Sequence, residues 1–229
     1  MKNETSTAFF DLSLLFFGTI AGLILAILTV PFVEKNAYLS IIAPTLLIFA
    51  LPGFVYYAFA RNKKVIKEKG IRPLNKSDIV LEILFYLFLF FAGLLIDFGI
   101  SRILESMPYE WAVAETKKAK ETDFFIREMM SDTSGWWYGI IAFAVIPAIS
   151  EELYFRYGVI NVIDKFIQNK TATIWSVAVL FSLIHFSAIG FASRLTLGVI
   201  FGYLYYRTGS IKWPVFLHFS NNFFALLLI

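Results

Sequence analysis

Residues 144–156 read Ala144-Val145-Ile146-Pro147-Ala148-Ile149-Ser150-Glu151-Glu152-Leu153-Tyr154-Phe155-Arg156. Two adjacent glutamates stand in a run that is otherwise almost wholly apolar. If the run crosses a bilayer, each charge near the centre costs about 2.5–3.5 kcal/mol on insertion scales, so the pair needs a reason. Glu152 and Arg156 are four apart with the acid first, the favourable order for an ion pair along a helix. Glu151 points about 100° away around that helix. Pro147, Ala148, Tyr154 and Phe155 occupy its i±3 and i±4 positions, so its partner must come from another helix.

The rest of the chain supplies the membrane. Of 229 residues, 59% are hydrophobic and 16% charged, against about 25% charged in a typical soluble domain. Phenylalanine alone occurs 26 times, and mean hydropathy is +0.71. A soluble domain of this size could not hide that much apolar surface. The composition excludes a cytosolic enzyme, a disordered chain and a secreted mini-protein. Cysteine is absent, which removes disulfides, thiolate metal sites and a cysteine nucleophile. The net charge of +3 reflects loop charge and makes no case for nucleic-acid binding.

Apolar runs at 12–33, 38–60 and 79–100 predict three spans, the first a retained helix rather than a signal peptide. Pro44 and Pro52 predict a kink in the second. Glu82 and Asp97 lie near the ends of the third, where a carboxylate can reach the interface. Between the second and third, residues 61–76 carry seven basic side chains and one acid, Glu68. The positive-inside rule places this stretch in the cytoplasm, where the two readings are contact with lipid headgroups and a partner-docking site. Residues 101–134 are polar, with five basic and seven acidic residues, and suit an interfacial amphipathic helix on the opposite side. Gly135-Trp136-Trp137-Tyr138 reads as an aromatic belt leading into a fourth span, about 136–166. Further spans are expected at 171–190, 195–207 and 215–229. Gly198 and Gly202 give the sixth a small-xxx-small spacing for close helix packing. Arg194 and Arg207 read as interface anchors. The expectation is an all-α, polytopic transmembrane bundle of about seven spans with its N-terminus in the cytoplasm. A conical polar site would lie among its C-terminal four helices.

The only two histidines, His185 and His218, both fall within expected spans. The midpoint of 151 and 185 is 168, inside the polar turn Gln168-Asn169-Lys170, so an antiparallel hairpin would set Glu151 level with His185. His218 and Asn222 are four apart and share a face. A buried carboxylate beside an imidazole can activate water, and an imidazole and a carboxamide can donate to an oxyanion. The same two imidazoles and carboxylate could hold a divalent ion such as zinc through Glu151, His185 and His218. The close-spaced H-E-x-x-H signature is absent. Spacing alone does not separate the two chemistries.

Four stretches carry a resemblance. Glu151-Glu152-Leu153-Tyr154-Phe155-Arg156 matches E-E-x-x-x-R, and Phe181-Ser182-Leu183-Ile184-His185 matches F-x-x-x-H. His218-Phe219-Ser220-Asn221-Asn222 matches H-x-x-x-N, and Thr208-Gly209-Ser210-Ile211-Lys212-Trp213-Pro214 matches T-G-S-I-x-x-P. In this order the chain resembles the CAAX-protease and bacteriocin-processing (CPBP, or Abi) family of intramembrane proteases. The resemblance covers about 136–225. It divides the chain into N-terminal helices and polar loops at 1–134 and a CPBP-like catalytic core at 135–229. It implies a multi-pass protein of a bacterial cell membrane that hydrolyses a membrane-associated or lipidated peptide or protein. By the same analogy Glu151 is the general base and His185 positions or activates water. His218 and Asn222 stabilise the oxyanion, and Glu152 and Arg156 support the site. Glutamate-type hydrolysis without a cofactor is favoured over a metal-assisted route, because the set contains an amide and no compact metal motif. Phe181, one turn before His185, reads as packing. The competing readings are a non-catalytic membrane immunity or scaffold protein of the same family, and a transporter or proton path, for which no internal repeat speaks.

Overall fold

The computed structural model describes residues 2–60 and 76–228, with side chains described for 6–60 and 80–228. Eight helical rods account for nearly all of these residues: α1 (Lys2–Val33), α2 (Ala37–Phe59), α3 (Lys76–Ser106), α4 (Glu110–Met129), α5 (Thr133–Ile167), α6 (Lys170–Leu183), α7 (Phe191–Thr208) and α8 (Lys212–Leu228). The described residues contain no strand. The all-α expectation stands, and the protein is a helical membrane bundle. Most of the basic stretch, 61–75, lies outside the described residues.

Among the described residues, four segments are long and apolar enough to cross a bilayer: Ser6–Val33, Ala37–Phe59, Val80–Ser106 and Thr133–Ile167. The other three of the expected seven, α6, α7 and α8, have 14, 18 and 17 residues. At 1.5 Å per residue they span roughly 21–27 Å, short of a hydrocarbon core of about 30 Å. They are also the helices that carry or flank most of the polar motifs. The polar stretch 101–134 contains a helix, α4, as the sequence anticipated.

Caps and glycines set how the rods meet. Asn36 opens α2, its side chain accepting from the Tyr38 and Leu39 N–H groups at 3.1 and 3.0 Å. Asp132 opens α5 by accepting from the Gly135 N–H at 2.6 Å. Asn169 opens α6 through the Ala172 N–H at 3.0 Å. Each is a short polar side chain satisfying an orphan donor of the first turn. The kink expected between Pro44 and Pro52 is a π-helical turn, Leu46–Ala50. A Pro has no N–H and clashes with the carbonyl four residues back, and a widened turn relieves both problems. Gly22 of α1 lies on this turn: a Cβ there would come 2.1 Å from the Leu47 carbonyl oxygen. Gly198 and Gly202 of α7 do what their spacing predicts, with Cβ positions 3.0 Å from Ala178 and Ile174 of α6. The core gathers Leu15, Tyr56, Phe155, Ile160, Ile174, Phe181 and Tyr205 from α1, α2, α5, α6 and α7. Phe17, Ile27, Phe88 and Leu95 stand exposed on α1 and α3, apolar surface suited to lipid.

Several charged residues are placed otherwise than expected. Asp97 does not reach toward water. It is buried and accepts from the Ala192 and Ser193 N–H groups at 3.0 and 2.7 Å, where its charge complements the start of α7. Glu82 pairs with Arg207 (Oε2 to Nε, 3.2 Å) and accepts from the Tyr86 hydroxyl. Two groups read as separate interface residues thus satisfy each other. Arg194 donates to the Ser187 and Ile189 carbonyls at 2.7 and 3.1 Å, tying down the loop that follows α6.

Candidate active site

The site is built on α5, and α5 is not a regular helix. π segments at Ile140–Val145 and Leu153–Val159 bracket a short α-helical piece, Ile146–Glu152, that ends in the two glutamates. π turns inside α-helices occur often at functional sites. Pro147 supplies one local cause. It has no N–H to donate to Phe143, the carbonyl four residues back, and the Asn222 side-chain amide donates to that oxygen at 3.2 Å. A sequence feature of α5 thereby sets where α8 docks.

His218, from α8, is the centre of the arrangement. Its Nδ1 lies 3.0 Å from Glu152 Oε1, and its Nε2 lies 3.9 Å from Glu151 Oε2. All three residues are buried. The Phe201 ring stacks on the imidazole at 5.4 Å between centroids, and Phe181 meets it edge-on at 5.9 Å. Glu152 also faces Arg156, as its spacing predicts: Nε to Oε2 is 3.0 Å, with both side chains wholly buried. That approach is an ion pair whose angle falls outside hydrogen-bond geometry. Charge and the faces of Phe181 and Phe201, 5.1 and 5.4 Å from the guanidinium carbon, hold Arg156 in place.

The four residues singled out by sequence are brought into one region, with different neighbours than expected. Glu151 pairs with His218, not with His185. His185 does not lie in a span: α6 stops at Leu183, and His185 sits in the turn beyond it, its Nδ1 2.9 Å from the Phe181 carbonyl oxygen. The turn passes through left-handed backbone at Phe186, φ 46, and Gly190, φ 81; no residue between Leu183 and Gly190 is a strong helix breaker by type. His185 reaches the site through Phe181, whose ring contacts both imidazoles, at 5.4 Å to His185 and 5.9 Å to His218. Phe181 thus packs from the core against both imidazoles, the role its position suggested. Asn222 commits one donor to Phe143 and accepts from Asn221 at 3.2 Å.

Among the described residues, no group of three or more His, Cys, Asp or Glu side chains is disposed to hold a metal ion. Glu151, His185 and His218, the trio considered for zinc, are not such a group in this structure. Sequence reasoning also missed the part three residues play around His185. Glu115 of α4, Asp97 of α3 and Arg194 of α7 all bind the segment 187–193. Asp97 and Glu115 come from distant parts of the chain, Arg194 directly follows the segment, and no spacing pattern connects the three.

Compared with known families, residues 133–224 match the family described as type II CAAX prenyl endopeptidase Rce1-like. No curated protein and no solved structure matches the chain.

Proposed function

From the match of residues 133–224 to the Rce1-like family we propose that the chain is an intramembrane endopeptidase of the CAAX protease (CPBP) family whose working groups are Glu151, His218, His185 and Asn222. The observation that carries the reading is the placement of one imidazole between two carboxylates, 3.0 Å from Glu152 and 3.9 Å from Glu151. With Nδ1–H donated to Glu152, the imidazole is fixed in orientation and tautomer, and Nε2 faces Glu151. A water about 2.8 Å from both Nε2 and Glu151 Oε2 would subtend roughly 90° at its oxygen, close to the spread of its own bonds.

Hydrolysis then runs in two proton movements. The water oxygen bonds to the peptide carbonyl carbon as its proton passes to Glu151. The carbon–nitrogen bond breaks as that proton passes to the departing amine. The remaining Asn222 N–H is the donor for the oxyanion between these steps, while His185, whose Nδ1–H is committed to the Phe181 carbonyl, offers an accepting Nε2 that orients the water. The substrate class is a membrane-associated or lipidated peptide, in line with an integral membrane protein of this family. The glutamate route is preferred because the carboxylate, imidazole and amide groups supply base and oxyanion donors among themselves.

The test is cleavage of a quenched fluorescent peptide ending in a prenylated Cys-aliphatic-aliphatic-X sequence by purified protein. Glu151→Gln and His218→Ala should each lower kcat by about 10²–10⁴-fold. Wild-type rates in both would overturn the assignment. The burial and mutual pairing of these side chains also suit a second reading, a non-catalytic immunity or scaffold protein. In that case Glu151→Gln would restore the cellular phenotype of a deletion strain at normal protein levels.

A further inference from the structure

The loop that carries His185 is held from outside the bundle core by one oxygen atom. Glu115 Oε1, on α4, accepts from the Ser187 hydroxyl at 2.5 Å, the Ala188 N–H at 2.7 Å and the Ile189 N–H at 3.3 Å. From the other side Arg194 donates to the carbonyls of Ser187 and Ile189. Next to His185, Phe186 adopts a left-handed backbone at φ 46, which an aromatic residue accepts only when its surroundings impose it. Asp97 fixes the far end of the loop through Ala192 and Ser193. The loop contributes few buried apolar contacts of its own: Phe186 is 84% exposed. Its conformation therefore depends on these polar ties.

We propose that Glu115 is a positioning residue for the reaction: by gathering three donors of 187–189 onto one oxygen, it sets the loop that presents His185 to the Glu151–His218 pair. The inference rests on the hydrolytic reading of His185. It assigns α4 the duty of a strap across the His185 turn. A helix poised this way also ties the state of the extramembrane surface to the geometry of the site. Displacing α4 releases His185.

Three variants test this in full-length protein, with two readouts. Glu115→Ala removes the acceptor. Glu115→Gln keeps an oxygen at the same reach without the charge. Ser187→Ala removes one of the three donors, a milder change should Glu115→Ala fail to fold. Backbone hydrogen exchange at Ala188 and Ile189 should quicken by about 10-fold or more in Glu115→Ala and stay near wild type in Glu115→Gln. In cleavage of the prenylated fluorescent peptide, Glu115→Ala should lower kcat by about 10–100-fold with KM nearly unchanged, the signature of a misplaced catalytic group. Glu115→Gln should restore most of the rate, and Ser187→Ala should fall between. Unchanged exchange in Glu115→Ala and Ser187→Ala overturns the proposal whatever the activity. So does faster exchange with wild-type kcat, provided His185→Ala abolishes cleavage. If His185→Ala cleaves as well as wild type, the hydrolytic reading of His185 fails and the positioning role falls with it. The exchange data then still report whether Glu115 holds the loop.

Discussion

Glu152 and Arg156 offer the sharpest test of how the site is held together. Both side chains are wholly buried and 3.0 Å apart, and Glu152 is also the partner of His218 Nδ1. Removing one member of such a pair strands a charge in an apolar interior and costs about 3–5 kcal/mol. Glu152→Met and Arg156→Met should each be destabilising by that amount. For a chain of this size, about 2–4 °C per kcal/mol converts this to a fall in Tm of roughly 6–20 °C. Replacing both leaves no stranded charge, and Met on either side fills similar volume against Phe181 and Phe201. What remains is the His218 Nδ1–H without an acceptor, worth about 1–3 kcal/mol. The double variant should therefore be more stable than either single variant, although inactive. The measurement is thermal unfolding of the detergent-solubilised protein, followed by circular dichroism, for wild type and the three variants. A double variant as unstable as the sum of the singles would show that the two residues do not act as a coupled pair, and would refute this account.

Three further outcomes follow from other parts of the fold. Gly22→Ala sets a Cβ 2.1 Å from the Leu47 carbonyl, so it should cost about 1–3 kcal/mol or more through displaced backbone, read as a lower Tm. Gly99→Ala, with nothing within 4 Å, should be neutral or up to about 1 kcal/mol stabilising in a helix interior. At Glu115, the Ser187 hydroxyl bond, assisted by the Ala188 and Ile189 N–H groups, holds the carboxyl below its ordinary value of 4.5. A depressed value favours the ionised form in the folded state, so the stabilisation is present above pH 4.5 and is lost as pH falls through the lower folded value. Exchange protection at Ala188 and Ile189, normalised for intrinsic rates, should hold at pH 5 and fade only in more acid solution. In Glu115→Gln it should be flat over the same range, and loss of wild-type protection above pH 4.5 would contradict the sign.

What could be read from the sequence was whatever is local or periodic. The apolar runs gave the long helices, because a bilayer requires length and composition and little else. The Glu152–Arg156 pair followed from i,i+4 geometry, and the Gly198–Gly202 face from small-residue spacing. The Asn169 cap lies in the polar turn the sequence marked. The π turns were not legible, since widening a turn by one residue barely alters an apolar pattern already hydrophobic all round. The end of α6 was not legible either: it is fixed by tertiary ties from Glu115 and Arg194, while Ile184, His185 and Phe186 are all acceptable in a helix. The expectation that Glu151 and His185 lie level rested on a helix running past His185. The partners of Asp97, Glu82, Arg194 and Arg207 were not legible for one reason. Charges near span ends can reach water, but here each has a partner inside the protein, which a single sequence does not reveal.

The two adjacent glutamates end with different standing, and geometry divides them. Successive side chains on a helix diverge by about 100°, so a single group can face both only from the wedge between them. His218 occupies that wedge, presenting one ring nitrogen to each. Glu152 is committed: one oxygen meets Nδ1 at 3.0 Å and the other meets Arg156 at 3.0 Å. Glu151 faces Nε2 at 3.9 Å, beyond hydrogen-bond range, and among the described residues it makes no hydrogen bond. A carboxylate held by a cation and an imidazole orients them. A carboxylate left one water away from an imidazole can exchange a proton. Exchanging their surroundings should exchange their roles, so Glu152→Gln should disturb stability and His218 orientation together, while Glu151→Gln should leave the fold intact and remove the base.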